Sequence, residues 1–211
     1  NYEEVVALDH KVRSENPAHM VPRNQNYWRL WVNPEHVDFH NLPHKVTELF
    51  KRSLLVIRTQ VDNGGAIIAA NDHDITQFAR DTYSYMWPRD GALVAYALTK
   101  AGHRDITQRF FGFCADVIKD EGYLMHKYNP DKSVASSWHP WLRDGKPALP
   151  IQEDETALVL WSLWHHFRKF RNIEFVRTLV DKLVFKAADF LVSYRDAETK
   201  LPNPSYDLWE E

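Results

Sequence analysis

EDETALVLWSLWHHFR, residues 153–168, is the stretch that indicates the fold most clearly. Three acidic residues lie at its start, where their negative charges interact favourably with the positive end of a helix dipole. A long run of apolar residues follows at helical spacing. The stretch therefore predicts a strong helix, and we expect its two tryptophans, Trp161 and Trp164, to lie in the core.

The rest of the chain repeats this pattern of helices separated by irregular loops. Further helices are predicted over about 44–60, 89–101, 104–119 and 172–195, with a short one over 3–13. Short strands are expected at 66–70 and 122–128. No alternation of strands and helices indicates a doubly wound sheet, and no fixed-period repeat is visible. The expected fold class is all-α, an array of helical hairpins whose loops gather at one end.

Composition argues against two classes of partner. The chain has 211 residues, 44% of them hydrophobic, and a formal net charge of -3. This balance suits a globular core and not a nucleic-acid surface, which needs a basic excess. No run reaches the roughly 18 apolar residues of a membrane-spanning helix.

The single cysteine, Cys114, lies in an apolar run and is expected to be buried. With one cysteine there is no disulfide framework that would indicate a redox compartment. Eight Trp and nine Tyr, many of them in loops, suit the C–H faces of carbohydrates.

Three loops carry side chains suited to sugar chemistry, and the first is YSYMWPRDG, which begins at Tyr83. Pro88 suits a helix start and Asp90 can cap its first turn, which is a purely structural interpretation. That interpretation leaves Trp87 and Arg89 without a role. An Arg beside an Asp offers donors and an acceptor side by side, as the vicinal hydroxyls of a sugar require, so binding is the alternative interpretation.

The second loop, residues 150–156, places three acids at the start of the strong helix. Their favourable interaction with the helix dipole is one interpretation. The alternative is that Gln152, Glu153 or Asp154 point into a site that they share with the other loops.

The third loop, residues 206–211, ends with two adjacent carboxylates, Glu210 and Glu211, after Trp209. Like charges and apolar burial both raise the pKa of a carboxyl group, so one of the pair can stay protonated near neutral pH. Cleavage of a glycosidic bond requires such a proton donor. The structural alternative is a frayed acidic terminus.

Together these motifs resemble glycoside hydrolase family 15, the glucoamylase family, in its bacterial and archaeal branch. The Tyr-x-x-x-Trp-x-Arg-Asp pattern beginning at Tyr83 is similar to the family's substrate-binding segment. Residues 152–158 resemble its intervening helix start, and residues 206–211 its acid-bearing segment. The similarity covers roughly residues 44–211, with the motifs in the family's order.

The resemblance implies a fold and a set of roles. The fold is expected to be part of an (α/α)6 barrel, roughly its first half, with short β pieces in the loops. Glu210 is expected to be the general acid. Substrate is expected to contact Tyr83, Trp87, Arg89, Asp90, Trp209 and Glu211. No metal or organic cofactor is implied, and the adjacent His165 and His166 face apart on a helix, which makes them poor joint ligands.

The resemblance also implies a domain organisation. Residues 1–43 are expected to be a linker after an absent N-terminal β-sandwich domain, and residues 44–211 the first half of a catalytic domain. The family's general base lies in the second half of the barrel, so the chain is expected to lack it and to be inactive alone. Its helices are expected to expose apolar faces to the rest of its own catalytic domain, and the isolated chain to associate or be unstable.

The implied activity is that of an inverting exo-acting hydrolase that releases glucose from the non-reducing end of α-glucans or oligosaccharides. A trehalase or a glucodextranase-type hydrolase is the alternative within the family, and the loop at 129–150 is expected to shape that choice. A non-catalytic helical module that binds sugar or regulates an enzyme is a second alternative. A helical protein–protein module without a sugar site is a third.

Overall fold

The computed structural model describes residues 2–34, 37–71, 83–135 and 142–205. The chain forms two compact units, Asn1–Val56 and Ile57–Glu211. The expected domain division between residues 43 and 44 stays a prediction.

The first unit is helical. It holds α1 (Tyr2–Ser14), α2 (Pro17–Val32) and most of α3 (His44–Thr59). One short helix, over 3–13, is expected before residue 44, so α2 is an additional helix that the sequence pattern did not predict. The side chain of Asn16 accepts a hydrogen bond from the Ala18 N–H, and Pro17 occupies the first turn, where its missing N–H has no helical partner to lose. The buried Trp31 then donates its indole N–H to the carbonyl oxygen of Leu54 at 2.8 Å.

The second unit contains the remaining helices of the described residues. They are α4 (Pro88–Lys100), α5 (Arg104–Val117), α6 (Glu155–Phe170), α7 (Ile173–Leu179), a π-helical turn (Val180–Val184) and α8 (Phe185–Ser193). The core is built from buried aromatic side chains of α5, Phe110 and Phe111 among them, and from the inner faces of α4 and α6. A Cβ atom at Gly91 would lie 2.5 Å from Cε2 of Phe110, so glycine permits the close approach of α4 to α5.

Local structure differs from expectation in the loops. The expected strands at 66–70 and 122–128 are absent, and those segments make only single backbone bridges, such as that of Tyr128 with Met86. A short hairpin, β1 (Leu142–Arg143) and β2 (Lys146–Pro147), lies within the long loop instead. The helix expected over 172–195 is interrupted by the π-helical turn.

The two tryptophans of α6 are a further correction. Trp161 and Trp164 are 39% and 54% exposed, so the prediction that they lie in the core is wrong. Residues of α6 itself are apolar on all faces of the helix, so helical periodicity alone does not identify the buried face. In the structure, the face with Val159 and His166, both fully buried, meets the core instead. Leu93 of α4 is also exposed, so the second unit does present apolar side chains at its surface, as expected.

The predominance of helix and the burial of Cys114 are confirmed. Burial raises the pKa of the Cys114 thiol, which keeps it protonated. Within the described part of the chain, no helix is long and apolar enough to cross a membrane.

Candidate functional site

Backbone hydrogen bonds hold the segment before α4 on both sides. Met86 and Tyr128 exchange two N–H···O bonds, each 2.9 Å long. On the other side, the carbonyl oxygens of Tyr83 and Tyr85 accept from N–H groups of residues 70 and 69, each at 3.0 Å. The chain therefore enters α4 at Pro88 from a fixed direction, which places Arg89 and Asp90 in the first turn of the helix.

Arg89 is the centre of a polar cluster. Its Nη1 donates to Oε1 of Gln152 at 2.6 Å and lies 3.7 Å from Oδ1 of Asp154, while Nη2 lies 3.5 Å from Oδ2 of Asp90. The Arg89 side chain is only 17% exposed, whereas those of Asp90 and Asp154 are 51% and 52% exposed. A guanidinium held by a neutral amide thus stands between two carboxylates that are open to solvent.

Aromatic rings adjoin this cluster. The Tyr83 ring stacks on that of Trp87 with centroids 5.7 Å apart, and Tyr85 meets the edge of Trp87 at 5.8 Å. Trp87 is buried, whereas Tyr83 is about half exposed. Tyr83 therefore presents the accessible aromatic face next to the first turn of α4.

Lys127 is fully buried beneath these rings, and the sequence analysis missed it. Its Nζ lies 4.3 Å from the centroid of Tyr85 and 5.8 Å from that of Trp87, within the range of cation–π attraction. Its position in the largely apolar run YLMHKY could have indicated it, because a lysine in such a run is expected to be buried. A buried lysine is rare unless it has a partner.

Glu155, the first residue of α6, is the second functional candidate that the sequence analysis missed. It is fully buried, and neither carboxylate oxygen accepts a hydrogen bond from the described residues. Burial raises the pKa of Glu155 well above its usual value, the positive charge of Arg89 opposes this, and the negative charges of Asp154 and Asp90 add to it. The turn at the start of α6 therefore carries a buried acid whose raised pKa depends on Arg89, Asp154 and Asp90.

Glu153, two residues earlier, contacts a different segment. Its Oε1 accepts from the backbone N–H of Ser205 at 3.0 Å and lies 2.5 Å from the Ser205 hydroxyl. That hydroxyl is also 2.9 Å from the carbonyl oxygen of Ile151. The start of α6 thus contacts both the first motif, through Arg89, and the residue that precedes residues 206–211.

The second loop contacts the first one. Gln152 and Asp154 face Arg89, whereas Glu153 faces Ser205, so these side chains do more than complement a helix dipole. A site shared with residues 206–211 stays a prediction. No side-chain cap forms at the start of α4 or of α6.

The expected site residues divide into two groups. The structure brings Tyr83, Trp87, Arg89 and Asp90 together around the start of α4. Trp209, Glu210 and Glu211 lie outside the described residues. Their roles stay predictions.

The two adjacent histidines of α6 have separate surroundings. His165 contacts the rings of Tyr96 and Trp161, whereas His166 contacts Phe111 and accepts or donates a bond of 2.9 Å with the Thr107 hydroxyl. In the described ranges, no group of three or more His, Cys, Asp or Glu side chains is arranged to hold a metal ion.

Comparison with protein families gives a match over most of the chain. The model described as glycosyl hydrolases family 15 matches residues 47–211. The chain belongs to this family. The expected family is therefore confirmed, and with it the fold class, part of an (α/α)6 barrel.

Two relatives are identical to this family 15 chain at a quarter or more of the aligned positions. It is 28% identical to an uncharacterized glycosyl hydrolase of Methanocaldococcus jannaschii over 95% of the chain and 29% of that protein. It is 26% identical to a glucoamylase of Clostridium sp. (strain G0005) over 99% of the chain and 26% of that protein. The chain thus spans less than a third of the length of these curated relatives.

Solved glycosidase structures are similar as well. A glycosidase variant, and another glycosidase variant in complex with glucose, each superpose with a TM-score of 0.57 at 26% identity. Each match covers 83% of this chain and 46% of the other.

Proposed function

We propose that the full-length protein is an inverting, exo-acting glycoside hydrolase that releases glucose from the non-reducing end of α-glucans or oligosaccharides. The observation that carries the proposal is the cluster of Arg89, held by Gln152 and flanked by the exposed carboxylates of Asp90 and Asp154. Family membership and the glucose in a similar glycosidase support it.

The cluster has the chemistry that a terminal glucose unit requires. Arg89 supplies N–H donors in a fixed plane, and the carboxylates of Asp90 and Asp154 supply acceptors beside it, so neighbouring hydroxyls can donate and accept at once. Tyr83 adds an accessible ring against which the C–H face of the sugar can pack. In this proposal Trp209 and Glu211 bind the same substrate.

Glu210 is the proton donor in the proposed reaction. It protonates the glycosidic oxygen while a second carboxylate, the general base, deprotonates a water on the opposite face of the sugar. The bond to the leaving group breaks as the water oxygen attacks, so the α-linkage yields β-glucose. Inverting enzymes hold their two carboxyls about 6.5–9.5 Å apart. We place the general base outside these 211 residues, since the match covers less than half of the length of each similar glycosidase.

The test uses the full-length protein and its Glu210→Gln variant, with maltose, isomaltose and trehalose as substrates. Wild type should release β-glucose, seen by proton NMR before mutarotation, from at least one of them. Glu210→Gln should lower kcat by at least about 100-fold, the usual contribution of a general acid, and still bind substrate. The matched control is Glu174→Gln, which replaces an exposed acid in the first turn of α7.

Each contrary outcome has its own meaning. Unchanged turnover in Glu210→Gln removes Glu210 as the acid, and release of the glucose unit attacked by water as α-glucose contradicts inversion. A wild-type protein that binds sugar, seen by Trp fluorescence, without hydrolysing any of the three is a non-catalytic module. Absence of both binding and hydrolysis leaves the protein–protein module.

A further inference from the structure

The turn before α6 is held in place by the backbone of residues 124–126. The carbonyl oxygen of Pro150 accepts a hydrogen bond from the His126 N–H at 3.1 Å, and the Thr156 hydroxyl accepts one from the Leu124 N–H at 3.0 Å. Gln152 lies between these two anchors and is only 6% exposed. Its side chain therefore starts from a fixed backbone and has little room to move.

Gln152 is closer to the Arg89 guanidinium than either neighbouring carboxylate is. Its Oε1 lies 2.6 Å from Nη1 of Arg89, whereas the nearest oxygens of Asp90 and Asp154 lie 3.5 and 3.7 Å from the guanidinium nitrogens. A guanidinium can only donate, so Oε1 of Gln152 is the acceptor. Hydrogen bonds from N–H to oxygen are usually about 2.7–3.2 Å long, so the amide holds Arg89 more tightly than the two carboxylates do.

The two carboxylates keep room for a ligand in this arrangement. The side chains of Asp90 and Asp154 are 51% and 52% exposed, and an ionised carboxylate has about four positions at which it can accept a hydrogen bond. Because Arg89 is anchored elsewhere, sugar hydroxyls can donate to these oxygens while the guanidinium donates to a sugar oxygen.

The neutrality of the Gln152 amide is as important as its position. A carboxylate in its place would form a charge-assisted pair with Arg89, roughly twice as strong as a neutral hydrogen bond. It would also add a third negative charge beside Asp90 and Asp154. The Arg89 side chain is only 17% exposed, so solvent would screen such a pair weakly. The amide fixes the direction of Nη1 without neutralising the positive charge.

We propose that Gln152 is a positioning residue, whose neutral amide holds Arg89 in the orientation that binds the terminal glucose and leaves its charge available to the sugar. Arg89 contacts the substrate, and Gln152 acts through Arg89. The inference rests on the proposed function, because it needs Arg89 in the sugar site.

The experiment compares Gln152→Met and Gln152→Glu in the full-length protein, with the substrate that wild type hydrolyses fastest. Gln152→Met keeps the length of the side chain but removes the acceptor, whereas Gln152→Glu keeps an acceptor but adds the charge. Each should raise KM about 10–100-fold, the effect of disturbing a hydrogen bond to a charged group, and leave kcat within about 3-fold. Calorimetric titration with glucose should show a similar rise in Kd.

A double-mutant cycle shows whether Gln152 acts through Arg89. Arg89→Ala combined with Gln152→Met should lower kcat/KM by no more than about 2-fold beyond Arg89→Ala alone, because the amide then has no guanidinium to hold. The matched controls are Gln25→Met and Gln25→Glu at an exposed position of α2, which should keep the wild-type kcat and KM. Thermal unfolding of every variant shows whether it is folded, and Gln152→Glu, which has the same shape as wild type, tests the inference if Gln152→Met does not fold.

Three outcomes would overturn the inference. The first is a wild-type KM in a folded Gln152 variant. The second is a fall in kcat with unchanged KM, which assigns Gln152 to another step. The third is an undiminished effect of Gln152→Met in the Arg89→Ala background, which shows that Gln152 acts apart from Arg89.

The same measurements separate this inference from the proposed function. A raised KM in Arg89→Ala together with a wild-type KM in Gln152→Met rejects the inference and leaves the proposed function standing. A wild-type KM in Arg89→Ala, or a wild-type protein without hydrolysis, rejects both.

Discussion

The two ends of α6 differ in what their buried polar groups contact. At the start, Glu155 is buried with both oxygens unpaired among the described residues, beneath the polar cluster of Arg89. Near the end, His166 is equally buried and its Nε2 also has no hydrogen-bond partner among the described residues, but its ring contacts Phe111 and Phe170 and its Nδ1 lies 2.9 Å from the Thr107 hydroxyl. An unsatisfied buried group costs about 1–3 kcal/mol, whereas aromatic packing stabilises the folded state. The end at Glu155 is the site end of α6, and the end at His166, where aromatic contacts offset the unpaired atom, is its core end.

The core end should have the larger effect on stability. Phe111→Ala removes a fully buried ring that contacts Phe110 and His166, so it should lower the free energy of unfolding by about 3–5 kcal/mol. Urea unfolding measures the loss, and Phe185→Ala, at a side chain 57% exposed, is the control and should change it by less than about 0.5 kcal/mol. Equal effects at the two positions would show that this end of α6 does not support the core.

The site end should have the larger effect on activity. Arg89→Lys keeps the charge but cannot hold the planar donor set between Gln152, Asp90 and Asp154. It should lower kcat/KM in the full-length protein by at least about 100-fold, which is about 2.7 kcal/mol, while the melting temperature changes little. The control Arg177→Lys, an exposed residue of α7, should retain full kcat/KM. Retained activity in Arg89→Lys would remove Arg89 from the binding site.

His166 should make stability depend on pH in the acidic range. Burial lowers the pKa of His166 to about 4, and the charge of Arg104 adds to this. The unfolded chain, with the ordinary value of about 6.5, binds more protons between these limits, so stability is full above about pH 6.5 and falls toward pH 4. His166→Phe removes the titration and leaves the Thr107 hydroxyl its 2.8 Å bond to the Arg104 carbonyl oxygen.

Titration of His166 should lower the free energy of unfolding of wild type by about 2–3 kcal/mol between pH 6.5 and pH 4. This fall should be absent in His166→Phe. An unchanged slope in His166→Phe would show that other groups cause the acid sensitivity.

The smallest effect is expected at Glu155, and it has the opposite pH dependence. The pKa of Glu155 is raised by burial, so the folded state keeps its proton while the unfolded state loses it as pH rises. Its contribution to stability is full below the ordinary pKa and is lost as pH rises through the raised value. Glu155→Gln cannot ionise, so it should become more stable than wild type by about 1 kcal/mol near pH 7 and equal to it near pH 4. Thermal unfolding across pH tests this, and a constant difference at all pH values would contradict it.

The sequence predicted the helices of the second unit and one half of the candidate site. The motif around Arg89 and Asp90 could be recognised because its members are close in sequence and suit one kind of ligand. Glu155 could not, because the sequence does not show which of three adjacent acids is buried, and its burial depends on segments far away in the chain. The prediction that Trp161 lies in the core is wrong because α6 has apolar residues on all of its faces. Helical periodicity alone does not say which of these faces meets the core.

The sequence by itself determined which segments of the second unit are helical, the family, and the set of side chains offered by its loops. The tertiary structure decided how three neighbouring acids, Glu153, Asp154 and Glu155, divide their contacts. The first reaches Ser205, the second faces Arg89, and the third is buried without a partner among the described residues. The physical reason is that successive residues at a helix start point about 100° apart, so what each one contacts depends on the segment packed on its side.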